Sequence, residues 1–310
     1  MFNFKLACAI MAIPMCFPHV LFGQEVVHDS LVGTYTITYY DSRGSERSLT
    51  VNAMNNLRPK LSVAITKGEV QLDYQYLLAN QAITRETQPI GIVDILCPPD
   101  APDLRITSKL GRGYLTEHPD ERIHVCRFRL TGHYVHPGHT LDGLRIETTY
   151  LPGISEASVF GIPRIQEGLG QHEEELPPNV LSTFRSITGF GFFTGGGLRI
   201  LTVAPLRTIS EMEDATASLV IVDADVSSAC DLSWISNPGV CNSFRTKLEQ
   251  AGRALERGRN EAAIGQLQAF LNELEAQHGD EPGKHVNDNA YWLLKVNVEF
   301  ILERMNAGEA

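Results

Sequence analysis

The sequence predicts an α+β protein, with an antiparallel β-sandwich-like domain at residues 28–205 and an α-helical domain at residues 206–310. Between residues 34 and 203, short runs of apolar residues alternate with polar ones, which is the pattern of half-buried strands. From residue 242 onward the apolar residues recur every three or four positions, as on one face of a helix. The change of period at Pro205 indicates the boundary between the two domains.

The first 23 residues have the features of a secretion signal. Lys5 provides the positive charge, residues 6–20 are largely apolar, and Gly23 provides a small residue before Gln24. We therefore expect a signal peptide at residues 1–23 and a secreted protein, extracellular or periplasmic. The alternative for this segment is a buried N-terminal strand.

Four cysteines remain after such a cleavage: Cys97, Cys126, Cys230 and Cys241. An even number of cysteines in an exported chain indicates disulfides. Three pairings are possible, and the local one, Cys97 with Cys126 and Cys230 with Cys241, keeps each bridge within one predicted domain. A zinc site is the alternative, which the lack of a C-x-x-C pair disfavours.

The charge of the chain argues against some classes of partner. The formal net charge is −11, and removal of residues 1–23 takes away one lysine and no acid, which leaves −12. A field of this sign opposes binding to nucleic acid and to anionic membrane surfaces. No apolar stretch reaches the roughly 18 residues of a membrane-spanning helix.

The predicted strands begin with a hairpin over residues 34–51, which turns at Asp41 to Gly44. The clearest single strand covers residues 70–78, where Val70, Leu72 and Tyr74 share one face. Residues 90–97 are almost all apolar, which is typical of a strand in the centre of a sheet. The other predicted strands cover residues 61–65, 123–130, 144–148 and 198–203.

An acidic segment follows the predicted boundary. Ser210 and Glu213 have the spacing of a capping box, and apolar residues then recur at helical spacing to residue 229. This pattern predicts a helix over residues 210–229. The β-branched run at residues 220–222 favours a strand instead.

Three further helices are predicted at residues 242–257, 260–279 and 287–304. Gly258 ends the first of them, because glycine adopts the left-handed conformation that terminates many helices. Asn260 is the expected N-cap of the second helix. Short connections imply that the apolar faces pack against one another or against the β domain.

The order of residues in this helical region resembles the FIMAH domain. The resemblance covers residues 239–305 and rests on these residues: Gly239, Val240, Ser243, Lys247, Leu248, Ala251, Leu255, Gly258, Ala262, Ala263, Leu267, Ala269, Phe270, Asn272 and Gly279. It implies a small helical module found at the C-terminus of bacterial surface or secreted proteins, some of which are enzymes. It identifies no catalytic residue in this chain.

A cluster of histidines is the first candidate for chemistry. His133, His136 and His139 lie near Asp142, and imidazole is a common metal ligand. A spacing of three puts successive side chains on opposite faces of a strand, and the Pro-Gly pair at residues 137–138 indicates a turn. The sequence therefore favours a polar hairpin tip, with these histidines as weak metal candidates.

Three other motifs are incomplete. Residues 223–234 place Asp223, Asp225 and Asp231 like a calcium loop, but lack its glycine and its final glutamate. Ser155 lies in a loose nucleophile-elbow motif that the flanking prolines place in a loop. The glycine-rich residues 189–197 lack the lysine of a phosphate-binding loop and are expected to form a strand with a turn.

The sequence thus predicts an exported, non-catalytic binding or scaffold protein of the bacterial surface or extracellular space. We expect no catalytic residue, cofactor or metal, and the predicted partner is a protein or a surface polymer of unknown identity. The alternative is a secreted hydrolase whose site lies in the loops near residues 133–142.

Overall fold

The computed structural model describes residues 24–29, 34–52, 57–81, 88–98, 101, 103–109, 112–117, 123–161, 165–167, 176–188 and 198–308. The predicted signal peptide and the glycine-rich residues 189–197 lie outside these ranges. The strands are β1 (Glu25–Asp29), β2 (Thr34–Tyr40), β3 (Glu46–Asn52), β4 (Pro59–Lys67), β5 (Leu72–Asn80), β6 (Ile90–Leu96), β7 (Arg105–Ser108), β8 (Arg112–Glu117), β9 (His124–Arg129), β10 (Thr140–Thr148), β11 (Leu151–Gly161), β12 (Ile165–Glu167) and β13 (Leu198–Arg207). The helices are α1 (Pro178–Thr188), α2 (Ala215–Asp231), α3 (Pro238–Leu255), α4 (Asn260–Gln277) and α5 (Asp288–Ala307).

The strands form three antiparallel sheets, and helices α2 to α5 follow them, so the predicted α+β class is confirmed. The sheet orders are β1-β2-β3-β12, then β4-β5-β10-β7, then β13-β11-β6-β9-β8. The apolar strand β6 occupies the middle of the third sheet, as its composition predicts. Its residues Ile90, Val93 and Ile95 are fully buried.

The second and third sheets pack face to face around a common core. Tyr74 and Tyr76 point from β5 into this core, where their rings are buried. The Tyr76 hydroxyl donates to the Val203 carbonyl of the third sheet at 3.1 Å, and the Tyr74 hydroxyl donates to the Tyr150 carbonyl at 2.7 Å. These bonds satisfy hydroxyl groups whose burial would otherwise be costly.

The first sheet has a separate, smaller core with α1. Ile37 and Leu49 from the sheet pack with Val180 and Phe184 of the helix. Helix α1, which begins at Pro178, is not among the predicted elements. Proline is well tolerated there, because the first N–H groups of a helix have no partner within it.

Two strand predictions need correction. The segment around Ser155 is not a loop but part of β11, an interior strand whose ladder with β13 is irregular at Leu151 and Pro152. That irregularity accommodates the proline near the strand end. Val70 does not face the core: Gly68 N–H donates to the Gln71 carbonyl at 2.8 Å, which closes a tight turn and leaves Val70 80% exposed.

The start of the helical part also differs from the prediction. The capping box uses Thr208 and Glu211 rather than Ser210 and Glu213, and it opens a 3-10 helix at Ile209–Met212. Asp214 then caps α2, because its side chain accepts the Ala217 N–H at 2.6 Å. The acidic segment therefore forms a 4-residue 3-10 helix followed by the 17-residue α2, instead of one continuous helix.

The later helix ends follow local signals. Gly258 has a φ of 65° and ends the turn after α3, as predicted. Asn260 is the first residue of α4 and not its N-cap. The N-cap is Arg259, whose side chain makes no capping hydrogen bond. Asn287 caps α5 by accepting the Ala290 N–H at 3.0 Å.

The described residues contain two disulfides, one in each half of the chain. Cys97 bonds to Cys126 between β6 and β9, and Cys230 bonds to Cys241 between α2 and α3. Each bridge thus joins neighbouring elements, as the local pairing requires.

The core is continuous from the sandwich into the helices. Helix α5 packs on α2 and α4 on one side and on β4 and β11 on the other. Strand β13 ends at Arg207 and so passes the predicted boundary at residues 205 and 206. Whether the two parts fold independently stays a prediction. Helix α5 is the element that joins the helical part to the sandwich.

Candidate binding site

The predicted histidine cluster lies at the turn between β9 and β10. Val135 anchors this turn, since its N–H and carbonyl both bond Ile90 at 2.9 Å. The rings of His136 and His139 approach edge to face at 6.3 Å, while His133 is exposed on the same turn. Asp142 lies on the surface and forms an ion pair with Lys109 at 3.5 Å.

In the part of the chain that the structure describes, no group of three or more His, Cys, Asp or Glu side chains is placed to hold a metal ion. The predicted calcium-loop residues lie on helix α2 instead. Asp223 faces solvent and receives a hydrogen bond from Arg245 at 3.3 Å, whereas Asp225 is buried. A helix cannot wrap these carboxylates around one ion, because residues two apart point in different directions.

Ser155 has no nucleophile-elbow geometry. The motif requires a sharp turn between a strand and a helix, but Ser155 is in the middle of β11. Its hydroxyl is buried and donates to the Glu156 carbonyl at 3.2 Å. These contacts are those of a structural serine.

The strongest candidate site is a groove of about 390 Å³ between the β4–β5 hairpin and helix α5. None of the sequence motifs described above lies in this groove. The groove is lined by Ile65, Thr66, Lys67, Gly68, Glu69, Val70, Gln71, Leu72, Thr149, Leu151, Ile209, Trp292, Lys295, Val296, Glu299, Phe300 and Glu303.

This groove between the β4–β5 hairpin and α5, called the junction groove below, has mainly apolar walls. Trp292 and Phe300 project from α5 and are half-buried. Two exposed aliphatic side chains lie at the edges of the groove: Val70 at the hairpin turn, and Ile209, which is 43% exposed. Exposed apolar side chains next to a concave apolar surface are typical of a binding site.

Charged side chains form the rim. Lys67 of the hairpin pairs with Glu303 of α5 across one end of the groove. On α5 itself, Lys295 pairs with Glu299 at 2.6 Å, one helical turn away. Glu69 lies exposed at the hairpin turn. The carboxylates therefore outnumber the ammonium groups on this rim.

Asn289 fixes α5 beside the hairpin. Its side-chain oxygen accepts the Val63 N–H at 3.1 Å, and its side-chain nitrogen donates to the Leu61 carbonyl at 3.1 Å. One amide therefore satisfies both a donor and an acceptor on the outer edge of β4. Because Asn289 is 6% exposed, these bonds replace solvent at the edge strand.

A second buried polar contact holds the other side of α5. Arg207 makes a bidentate ion pair with Asp225, with distances of 2.6 and 2.7 Å. Asn297 of α5 donates to the Pro152 carbonyl at 3.1 Å, and Arg207 donates to the same carbonyl at 2.8 Å. This junction network connects β13, β11, α2 and α5.

The network perturbs one ionisable group. Burial raises the pKa of Asp225 above its ordinary value, and the hydrogen bonds and charge of Arg207 offset part of that effect. The raised pKa means that burial disfavours the carboxylate more than its partners favour it. Removal of either partner would leave the other charge buried and unpaired.

Aromatic contacts hold Trp292 in place on α5. Its ring meets the Tyr291 ring edge to face at 5.0 Å, and Tyr291 stacks on His278 at 3.8 Å. The Tyr291 hydroxyl donates to Glu275, and burial together with this carboxylate raises the pKa of the phenol. These contacts hold the first turn of α5 against α4.

The helical wall of the groove matches a known family. Residues 223–303 match the FIMAH domain. The FIMAH match starts inside α2 and includes α3, α4 and most of α5, so it reaches further toward the N-terminus than the resemblance at residues 239–305. No curated protein matches the chain. Among the described helices, none has the length and apolar character needed to cross a membrane.

The groove could be recognised from the sequence only in part. Val70 offers the clearest signal, because it directly follows the Lys-Gly-Glu turn at residues 67–69, but its alternation with Leu72 and Tyr74 predicts the core face instead. Trp292 lies among apolar residues in the sequence, and this pattern predicts a core residue. The hairpin and α5 are more than 200 positions apart, and no local pattern shows that they meet.

Proposed function

We propose that the protein is an exported, non-catalytic binding or scaffold protein of the bacterial cell surface or extracellular space. The FIMAH match and the two disulfides fit a surface or extracellular protein. The observation that carries the binding function is the junction groove, which combines apolar walls with exposed apolar lips. Its partner is a protein or a surface polymer.

The chemistry of the groove supports binding over catalysis. Acid–base catalysis needs a positioned group whose pKa suits proton transfer. The ionisable side chains around this groove are surface lysines and glutamates, and Lys67 and Lys295 already form ion pairs. By contrast, Trp292 and Phe300 offer large apolar surfaces, and tryptophan is enriched among the residues that dominate binding energies.

Cell fractionation of the native host tests the proposed location. We expect the protein in the periplasmic, surface or culture fraction, with an N-terminus near Gln24 and no thiol that reacts before reduction. Recovery from the cytoplasm with the intact Met1 and all six cysteines titratable as thiols would contradict export.

A hydrolysis screen tests the non-catalytic assignment. The purified, oxidised chain is incubated with ester, peptide and polysaccharide substrates, and release of product is measured. We expect no turnover above that of the heat-denatured protein. Turnover that is lost in His136→Ala would overturn the proposal and support the secreted hydrolase instead.

A further inference from the structure

A second pocket lies at the opposite end of β4 and α5 from the junction groove. This corner pocket has a volume of about 160 Å³. It is bordered by the first residues of β4, by Ile200 and Leu201 of β13, by Trp234, and by the start of α5. None of its lining residues also lines the junction groove, so the two are separate sites.

The clearest sign of a ligand in the corner pocket is the hydroxyl group of Ser62 on β4. Ser62 is only 8% exposed, and it lines the pocket. Its hydroxyl group forms no hydrogen bond to any residue that the structure describes. A buried hydroxyl group without a partner is costly, so its hydrogen bond must be made to something inside the pocket.

Trp234 provides an aromatic side chain at the same pocket. It is half-buried, and within the described residues its indole N–H has no hydrogen-bond partner. The backbone N–H of Trp234 donates to the Ala229 carbonyl at 2.8 Å, and its carbonyl accepts the Asn287 N–H at 3.0 Å. Ser233 before it has a φ of 57°, a left-handed conformation that residues other than glycine rarely adopt. The position of Trp234 is therefore fixed by both α2 and α5.

Groups of both charges surround the corner pocket. Asp280 and Asp288 are exposed, and Asp288 also pairs with His278 at 2.9 Å. Lys60 is exposed on β4 and forms no ion pair in the part of the chain that the structure describes. The first N–H groups of α5 have no acceptor within the helix, and they add partial positive charge. The pocket therefore offers hydrogen-bond donors and acceptors together.

We propose that the corner pocket binds one neutral sugar unit of a surface glycan. The C–H faces of a pyranose ring are apolar and suit Trp234 and Leu201, which is 40% exposed. Each sugar hydroxyl group can both donate and accept a hydrogen bond. One ring can therefore use the Asp280 carboxylate, the Lys60 ammonium group and the Ser62 hydroxyl group together.

The same groups disfavour charged ligands. An anion would approach the carboxylates of Asp280 and Asp288, and a cation would approach Lys60 and the positive end of the α5 dipole. The volume is also below the roughly 300 Å³ at which pockets for drug-sized ligands begin. The pocket is thus sized for a single ring, and the rest of a polymer stays outside it.

A glycan panel provides the first test. The probes are hexamers of neutral hexoses and N-acetylhexosamines, of anionic galacturonic acid and of cationic glucosamine. Each hexamer is titrated into the full oxidised chain by calorimetry. We expect a neutral hexamer to bind with a Kd below about 1 mM, and the charged hexamers to bind at least about tenfold more weakly.

Fluorescence locates the site, because the chain has two tryptophans, Trp234 and Trp292. In Trp292→Phe only Trp234 emits, and we expect the neutral hexamer to shift its emission. In Trp234→Phe only Trp292 emits, and no shift is expected because this residue lines the junction groove. A shift seen only in Trp234→Phe would assign the sugar to the junction groove and overturn the inference.

Two pairs of variants test individual groups. Ser62→Ala should weaken binding about fivefold because one hydrogen bond is lost, whereas Ser42→Ala, in the exposed turn between β2 and β3, should not. Asp280→Ala should weaken binding by a similar factor, whereas Asp142→Ala, at an exposed carboxylate of the histidine turn, should not. Thermal melting checks that each variant folds.

Three further results would overturn the inference. They are the failure of every neutral hexamer to bind more tightly than about 1 mM, tighter binding of a charged hexamer, and unchanged affinity in both Ser62→Ala and Asp280→Ala. None of them affects the fractionation and hydrolysis tests, so failure of the glycan inference is distinguishable from failure of the proposed function.

Discussion

Replacement of Asn289 by alanine should destabilise the protein by about 2–5 kcal/mol. The change removes the acceptor for Val63 N–H and the donor for the Leu61 carbonyl, both of which are 3.1 Å from the amide. Each buried backbone group left without a partner costs about 1–3 kcal/mol. The better helix propensity of alanine returns about 0.5 kcal/mol.

Urea unfolding of the oxidised mature chain measures this change. Circular dichroism follows the helices, and tryptophan fluorescence follows Trp234 and Trp292. The matched control is Asn272→Ala, which removes an exposed asparagine on α4 and should change the free energy of unfolding by less than about 0.5 kcal/mol.

Asn289→Asp tests the direction of the bonds. Its carboxylate can still accept the Val63 N–H but cannot donate to the Leu61 carbonyl, so we expect a loss at least as large as that of Asn289→Ala. If Asn289→Ala unfolds within about 0.5 kcal/mol of the unmodified chain, the edge contact does not stabilise the junction. Contacts other than Asn289 would then hold α5 beside the hairpin.

Four further predictions concern the helical part and the histidine turn. Leu267→Ala should cost about 2–5 kcal/mol in urea unfolding, because it leaves a cavity at a fully buried site, and a cost below about 1 kcal/mol would contradict this packing. Because burial raises the pKa of Asp225 in the folded chain, the folded chain should bind this proton at a higher pH than the unfolded chain does. The free energy of unfolding, relative to that of Asp225→Asn, should therefore increase as the pH is lowered through the raised pKa toward 3.8. A decrease in this free energy would refute the direction of the shift. Zinc analysis should find no more metal on the purified chain than on His136→Ala, and excess metal on the unmodified chain would support the hydrolase alternative. A fragment of residues 206–310 should melt cooperatively as a helical monomer, at a lower temperature than the full chain, and a non-cooperative melt would show that it depends on the sandwich.

The helical part could be predicted because its signals are local. Helix α5 begins after its N-cap Asn287 and ends at Gly308, which has a φ of 73°. The predicted helices overlap α3, α4 and α5 and differ from them by a few residues at each end. The misplaced caps at Asn260 and Ser210 show the limit, because several neighbouring polar residues can fill a cap and packing decides among them.

The β region was harder to predict where a strand breaks the usual rules. Strand β11 contains Pro152 and Gly153 at its start, and both residues disfavour strands in general. The irregular ladder at that point accommodates them, and it is formed with β13, which lies about 50 positions later. The sequence predicts the alternation of half-buried strands, but it does not reveal such tertiary compensation.

The groove and the docking of α5 depend on the same edge strand. Without α5, the outer edge of β4 would be a long exposed strand edge that is prone to self-association. Asn289 bonds to Leu61 and Val63, and the groove lies further along the hairpin, where Lys67 and Val70 line it together with Trp292 of α5. The Lys67–Glu303 ion pair then closes the far end. Because one helix provides both the contact and the wall, any change that loosens Asn289 should also alter the groove, and binding and junction stability are expected to change together.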